Sequence, residues 1–274
     1  MRSFDPAELP FSETHRILLG GVAPRPIAFV STLDSKGRNN LAPFSFFNAF
    51  GVNPPIICFS PAFAGRTGLP KDSFLNILET KECAVSIVSH AMLDQMNLAA
   101  APFERGVDEF VKSGFTKLPS VKVAPPGVAE SPFVIEAKLV QHIEFGGRPG
   151  SANMLICEVL MIHVKDHVFD EHGSIDPHKM DQIARLGGPW YTRASAGLFR
   201  LPQPTKAMIG IDALPEELKH SPHLTGSDLA KLATREVLPH FTPSASNEMQ
   251  RVRHQAVKRL LEAGDSEGAW KLLS

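Results

Sequence analysis

Pro24-Arg25-Pro26-Ile27-Ala28-Phe29-Val30-Ser31-Thr32 is the stretch from which the rest of the chain is read. Two prolines open an apolar run, and Asp34-Ser35-Lys36-Gly37 supplies turn chemistry directly after it. The aromatic-rich segment from Asn40 to Phe50 follows, then the breaker Asn53-Pro54-Pro55, then a second apolar run from Ile56 to Phe59. Short apolar runs punctuated by Gly, Pro and Asn predict antiparallel β-structure rather than a doubly wound α/β sheet.

Further along, Gly65-Arg66-Thr67-Gly68-Leu69-Pro70-Lys71 reads as a loop, and Asp72-Ser73 is expected to cap a helix from Phe74 to Thr80. A strand is predicted over Ala84 to Val88, and helix over 91–118 with an interruption near Pro102. Two longer strands, Phe133 to Phe145 and Met154 to Val164, flank the loop Gly146-Gly147-Arg148-Pro149-Gly150. Loops then dominate through Arg185-Leu186-Gly187-Gly188. Beyond Pro204 the pattern turns helical. Met249, Val252, Ala256, Leu260 and Leu261 recur at the spacing of one helix face, and Gly264 sits at a C′ position. Arg251, Arg253, Lys258 and Arg259 fill the remaining face, which is read as solvated. The expected plan is mainly β with inserted helices: a barrel domain over 1–204 and a C-terminal helical extension over 205–274.

Composition narrows the function. With 43% hydrophobic and 21% charged residues among 274, the chain has material for a real core, which excludes global disorder. Lys+Arg 28 against Asp+Glu 29 leaves a net charge of −1, which argues against coating nucleic acid or an anionic membrane. No apolar run approaches the ~18 to 20 residues of a membrane span. Met1-Arg2-Ser3-Phe4-Asp5 has no apolar h-region behind it, so a cytoplasmic location is expected. Cys58, Cys83 and Cys157 lie in apolar runs without CxxC spacing, the pattern of small buried hydrophobes rather than of a disulfide or zinc site.

Several motifs are missing. No GxGxxG follows a strand, and GxSxG and HExxH are absent. Gly65 to Ser73 breaks the spacing of a phosphate-binding P-loop. The same loop nevertheless carries the parts of a simpler anion site: the cations Arg66 and Lys71, the hydroxyls of Thr67 and Ser73, and the free N–H groups of the helix that follows. An ordinary helix cap with two solvated cations is the other reading of these residues. Asn40-Leu41-Ala42-Pro43-Phe44-Ser45-Phe46-Phe47-Asn48 likewise fits either a backbone approach to a flat ring or an aromatic core strand. His163 and His167 share a face if their strand continues, with His172 and His178 in the loop beyond. No ligand spacing ties them to a cysteine, so no metal site is read.

Taken in order, Arg25 to Thr32, Asn40 to Phe47, and Lys71-Asp72-Ser73 with Asn76-Ile77 resemble the flavin reductase-like family of FMN-binding split barrels. Glu158-Val159, His163-Val164, Asp176-Pro177 and Arg185-Leu186-Gly187-Gly188 with Tyr191 are similar to its flavoredoxin-type branch, as is Leu224-Thr225-Gly226-Ser227-Asp228-Leu229 to a segment of longer members. Cys157 departs from the pattern where glycine is expected, and Ser73 stands where threonine is common. The resemblance implies a split β-barrel homodimer with FMN near the subunit interface and NADH or NADPH as electron donor. It places Lys71, Asp72, Ser73 and Arg66 on the ribityl phosphate, and Ser31 and Thr32 along the ribityl chain or ring edge. Asn40 lies in the same segment as Ala42, Pro43, Phe44 and Ser45, which would offer main-chain groups to the ring. Ser60 is a further candidate, and Arg185, Gly187 and Tyr191 would line the site or the dimer contact. The implied activity is NAD(P)H:flavin reduction, with a monooxygenase or other acceptor downstream. A flavin electron carrier reduced by a protein partner is the alternative. Since the cofactor supplies the electronics, no acid–base residue is named.

Overall fold

The computed structural model describes residues 1–274. Contacts divide the chain into two compact units, Met1–Leu198 and Phe199–Ser274, whereas the change of sequence character falls near Pro204. The first unit contains β1 (Ala28–Leu33), β2 (Asn39–Phe44), β3 (Phe47–Val52), β4 (Pro55–Phe59) and β5 (Glu82–Ile87). Two short strands, β6 (Lys117–Leu118) and β7 (Gly127–Val128), precede the long β8 (Phe133–Glu144) and β9 (Asn153–Val164). A hairpin of β10 (Ile183–Arg185) and β11 (Tyr191–Arg193) closes the unit. Its helices are α1 (Phe11–Gly21), α2 (Asp72–Thr80), α3 (Leu93–Ala99), α4 (Glu109–Ser113) and α5 (Pro177–Met180).

Seven strands form one antiparallel sheet in the order β2-β1-β5-β8-β9-β4-β3. The β1–β2 turn is set by Asp34, whose carboxylate accepts the N–H groups of Lys36 and Arg38 and the Arg38 side chain at 2.7 Å. Gly37 closes it at φ 75°, a conformation that only glycine adopts readily. Register shifts in β8 at Glu136/Ala137 and Leu139/Gln141 mark bulges, which bend the longest pair. The two edges of the sheet, β2 and β3, are consecutive in the chain and joined only by Ser45-Phe46. The barrel is therefore split between them, and the connecting residues cross its opening.

β1 is buried on both faces because each face meets a different core. Val30 points inward to Phe59, Phe74, Ile77 and Leu155, while Phe29 points outward to Leu41, Met92, Met96 and Phe110 beneath α3 and α4. This accounts for its unbroken apolar run. All three cysteines are buried and free.

Local corrections have local causes. Asp72 and Ser73 do not cap α2. They lie inside it, and Lys71 holds the N-cap position with no side-chain cap. Within 91–118 the α-helices are confined to Leu93–Ala99 and Glu109–Ser113, because Pro102 and Gly106 (φ 92°) keep the intervening segment as loop. Helix α1, which the sequence pattern does not single out, has no buried residue.

Asp181 anchors the hairpin that carries Arg185 and Tyr191. Its carboxylate accepts Arg193 Nε at 2.6 Å and Ser195 Oγ at 2.7 Å, and its carbonyl accepts the His90 N–H. The Arg193 hydrogen bond, outweighing burial, pulls its pKa down to about 2. A depressed carboxylate stabilises the fold above its unfolded pKa and loses that contribution as pH falls toward the folded value. Asp181→Asn is therefore expected to cost about 1–2 kcal/mol at pH 7, allowing for solvent screening, with the deficit closing between pH 4 and pH 2. Urea melts of both proteins across that window check this.

The second unit holds α6 (Glu216–Lys219), α7 (Gly226–Ala233), α8 (Asn247–Glu262) and α9 (Ser266–Leu273) around Leu218, Leu232, Val257, Leu261 and Trp270. Thr225 and Asp228 form a reciprocal capping box on α7. The inward face of α8 is His254, Val257 and Leu261, not the expected Met249 and Val252, which are exposed. A buried histidine paired with Ser221 Oγ at 2.8 Å hides this stripe from a reading based on apolar residues. Gly264 does take the C′ position, at φ 81°. No helix of the chain is long and apolar enough to cross a membrane.

Candidate functional site

A cavity of about 320 Å³ lies between β2 with its Ser45-Phe46 connection, the start of α2 and the 99–103 segment. Asn40, Ala42, Pro43, Phe44 and Ser45 line it from β2 and the residue that follows; Ser60 faces it from the end of β4, and Lys71, Asp72 and Ser73 from the start of α2. These nine positions from the sequence reading are brought together. Two further cavities adjoin it. One, of about 570 Å³, shares Pro43, Ser45 and Phe46 and reaches Arg185 and Tyr191. The other, of about 890 Å³, shares Phe46 and Lys71 and reaches Arg66. Phe46 stands where all three meet.

The start of α2 is electropositive for a stated reason. The amides of Asp72, Ser73 and Phe74 find no acceptor in the fold, since the first helical bond is Leu75 N–H to the Lys71 carbonyl. Lys71 is exposed and has no carboxylate partner, and the same holds for Arg66. Ser73 is buried and accepts Asn40 Nδ2 at 2.7 Å, so its own O–H is left to donate. Thr67, whose hydroxyl accepts the Leu69 N–H, lines the neighbouring cavity with Arg66 rather than this one. Asp72 offers only its backbone: its carboxylate pairs with Arg105 at 2.8 Å, and Arg105 also donates to Asn76 Oδ1. That pairing cancels a negative charge that would oppose an anion here. Arg105 was missed by the sequence reading, since nothing in a segment read as interrupted helix signals its proximity to α2.

β2 is an edge strand, and Leu41 N–H turns away from β1 to Glu109 Oε2 at 2.9 Å. By the alternation of an antiparallel ladder, Pro43 also directs its main chain outward, whereas Ala42 and Phe44 bond β1, and Ser45 lies beyond the ladder. Of the main-chain groups expected from Ala42 to Ser45, those of Ala42 and Phe44 are therefore taken up by β1. Pro43 occupies an outward position, where its missing N–H leaves no gap in the sheet. Burial pushes the Glu109 carboxyl pKa up, against the opposing effect of the Leu41 N–H. Glu109 also lines the cavity and was likewise not foreseen.

Ser31 and Thr32 line none of the three cavities. Thr32 Oγ1 accepts Asn76 Nδ2 at 3.0 Å beneath α2, and the Ser31 hydroxyl is sealed on the other face of β1 without a partner. The expected contact with a ribityl chain is thus not available to either side chain in this arrangement. Gly187 is not a lining residue. A Cβ there would lie 3.0 Å from the Gly20 Cα, so it lets the 186–188 turn approach the end of α1. His163 holds Glu136 at 2.6 Å, and His167 lies past the end of β9, so the two share no strand face. No group of three or more His, Cys, Asp and Glu side chains is arranged to hold a metal ion.

A profile of the flavin reductase-like domain matches residues 20–183. The chain belongs to the flavin reductase-like family. An uncharacterised protein of Halalkalibacterium halodurans is 36% identical over 205 residues, covering 73% of this chain and 96% of that one. The solved structure of nitrilotriacetate monooxygenase component B from Bacillus cereus superposes with a TM-score of 0.69 at 30% identity, over 73% of this chain and 98% of its own. Flavoredoxin of Desulfovibrio vulgaris (Miyazaki F) gives a TM-score of 0.56 at 25% identity, over 68% and 93% respectively. The fold is the family's split barrel with C-terminal helices, and those two structures cover 73% and 68% of this flavin reductase-like chain, leaving between about a quarter and a third unmatched.

The residues present fit a flavin mononucleotide. Unclaimed amides, an unpaired Lys71 and the Ser73 hydroxyl suit a phosphate monoester, and the apolar wall of Phe44, Phe46 and Phe103 suits a flat ring.

Proposed function

We propose that this chain is an FMN-dependent NAD(P)H:flavin oxidoreductase whose first unit holds the cofactor between β2 and the start of α2. The observation that carries the reading is the uncapped start of α2, with Lys71 and Ser73, opening into that cavity. FMN, when bound, supplies the hydride-accepting N5 of its ring. The chain's own work is binding and orientation. Lys71, Ser73 and the α2 amides take the phosphate, Pro43 and Ser45 meet the ring with main-chain groups, and Phe44 and Phe46 keep water from it. Glu109 steadies the β2 edge through the Leu41 N–H. No side chain is required to move a proton from the nicotinamide.

A homodimer belongs to the proposal, because Phe11 and Leu18 on α1, Val22 just after it, and Phe50 and Val52 on β3 are all exposed apolar residues. A second copy covers them, and light scattering giving twice the 29.9 kDa chain mass is the expected result. The compartment proposed is the reducing cytoplasm, where three free thiols persist. Similarity to a monooxygenase component supports a partner oxygenase as acceptor. Similarity to flavoredoxin supports the second reading, an electron carrier.

The test is a visible spectrum after adding FMN and removing the excess, followed by NADH or NADPH without oxygen. Retained flavin that bleaches supports the reductase and identifies the donor. Retained flavin that stays oxidised transfers the proposal to the carrier. If flavin washes out and free FMN is not turned over, the proposal is overturned.

A further inference from the structure

The 570 Å³ cavity has a charge imbalance that the flavin does not explain. Arg16, Arg25 and Arg185 line it with His15, and no aspartate or glutamate does. Arg16 is paired with Glu13, but the other two arginines have no carboxylate partner. Arg25 is 6% exposed, and its guanidinium donates to three backbone carbonyls, those of Leu19, Val22 and Leu186. Its Nε–H is buried without an acceptor. Arg185 lies 4.4 Å from the centroid of the Tyr191 ring and donates to the Tyr191 hydroxyl and the Gly188 carbonyl, which leaves its Nε–H free as well.

Buried charge is normally paired, because desolvating it alone is costly. Here burial and the charge of Arg185 both oppose the charge on Arg25, so each guanidinium lacks a counter-charge. The rest of the wall is apolar: Leu19, Ile27, Phe46 and Met96. We infer that this second cavity binds the anionic end of a flat, conjugated molecule, its carboxylate or phosphate set against Arg25 and Arg185 and its body against Phe46. Arginine stacked on a ring is held in a fixed plane, which suits a planar or bidentate anion better than a point charge would. Because the cavity shares Pro43, Ser45 and Phe46 with the first, the anion's conjugated body lies next to the proposed ring site. That adjacency rests on the flavin reading, whereas the anion site does not.

The anion can come from a nucleotide donor or from an aromatic acid, and titration calorimetry separates them. Benzoate, benzamide and nicotinamide mononucleotide are titrated into FMN-free and FMN-loaded protein. Benzoate or the mononucleotide is expected to bind at least tenfold more tightly than neutral benzamide, and to weaken as salt rises. Preference for the mononucleotide identifies the donor's site, and preference for benzoate identifies an acceptor's. Arg185→Gln is expected to abolish the advantage over benzamide, and Arg185→Lys, which keeps the charge, to retain most of it. Circular dichroism checks that both variants fold. Benzamide binding as tightly as the anions to the native protein, or an unchanged preference in folded Arg185→Gln, overturns the inference. Because FMN-free protein is included, loss of the flavin reading leaves this outcome readable.

Discussion

Lys71→Ala weakens FMN binding by about tenfold to a hundredfold while leaving thermal stability unchanged. The two halves of this expectation come from different atoms of the same residue. Lys71 starts α2 through its backbone, at φ −77° and ψ 148°, and its side chain makes no capping bond. Removing the side chain therefore takes nothing from the helix. For a phosphate the ammonium is a charge-assisted donor, worth about 1.5 to 3 kcal/mol, which converts to the stated loss of affinity. Arg66→Ala is expected to cost less, since Arg66 is exposed and reaches only the neighbouring cavity. Flavin fluorescence titration measures both. Unchanged affinity in Lys71→Ala would mean that the phosphate lies elsewhere.

Glu136→Gln lowers stability by about 2–4 kcal/mol, through a site that lines none of the three cavities. Glu136 is fully buried at the bulge in β8, and both of its oxygens face donors. Val121 N–H and His163 Nε2 meet one oxygen, while Lys122 and Val123 N–H meet the other. Burial alone raises the pKa of this carboxyl, but the His163 bond and the two shortest amide bonds together outweigh burial and lower it. Glutamine has one accepting end, so its NH₂ must confront either the Val121 amide or the Lys122–Val123 pair. The 119–124 loop then loses part of its anchor, with the Ala124 N–H still bonded to Glu82 Oε2 at 2.8 Å. Urea denaturation gives the loss, and amide exchange at Val121 to Val123 shows where it falls. A loss below 1 kcal/mol would mean that water replaces the missing acceptor.

The strands were largely legible because alternation and breakers are local. Ile56 to Phe59, Phe133 to Phe145 and Met154 to Val164 each match a strand to within a residue or so, since side chains two apart share a face whatever the strand pairs with. The α2 site was legible in outline for a similar reason: Lys71 and Ser73 are near neighbours in the chain. Misreadings came where a polar residue does apolar work, as His254 does in α8, or where a residue fits two positions, as Asp72 does at a helix start.

By itself, the sequence determined an antiparallel barrel with helices, a family resemblance that the domain match bears out, and a cationic helix start. Tertiary structure alone decided that β2 and β3 are both edges and that a cavity opens between β2 and the start of α2. It also decided that Arg105 cancels Asp72, and that Arg25 and Arg185 share a wall with no acid. The reason is distance along the chain. Arg25 reaches Leu186 across 161 residues, and Arg105 reaches Asp72 across 33. A residue's periodicity and neighbours determine which way it points, whereas what it meets is determined by the closure of the whole sheet.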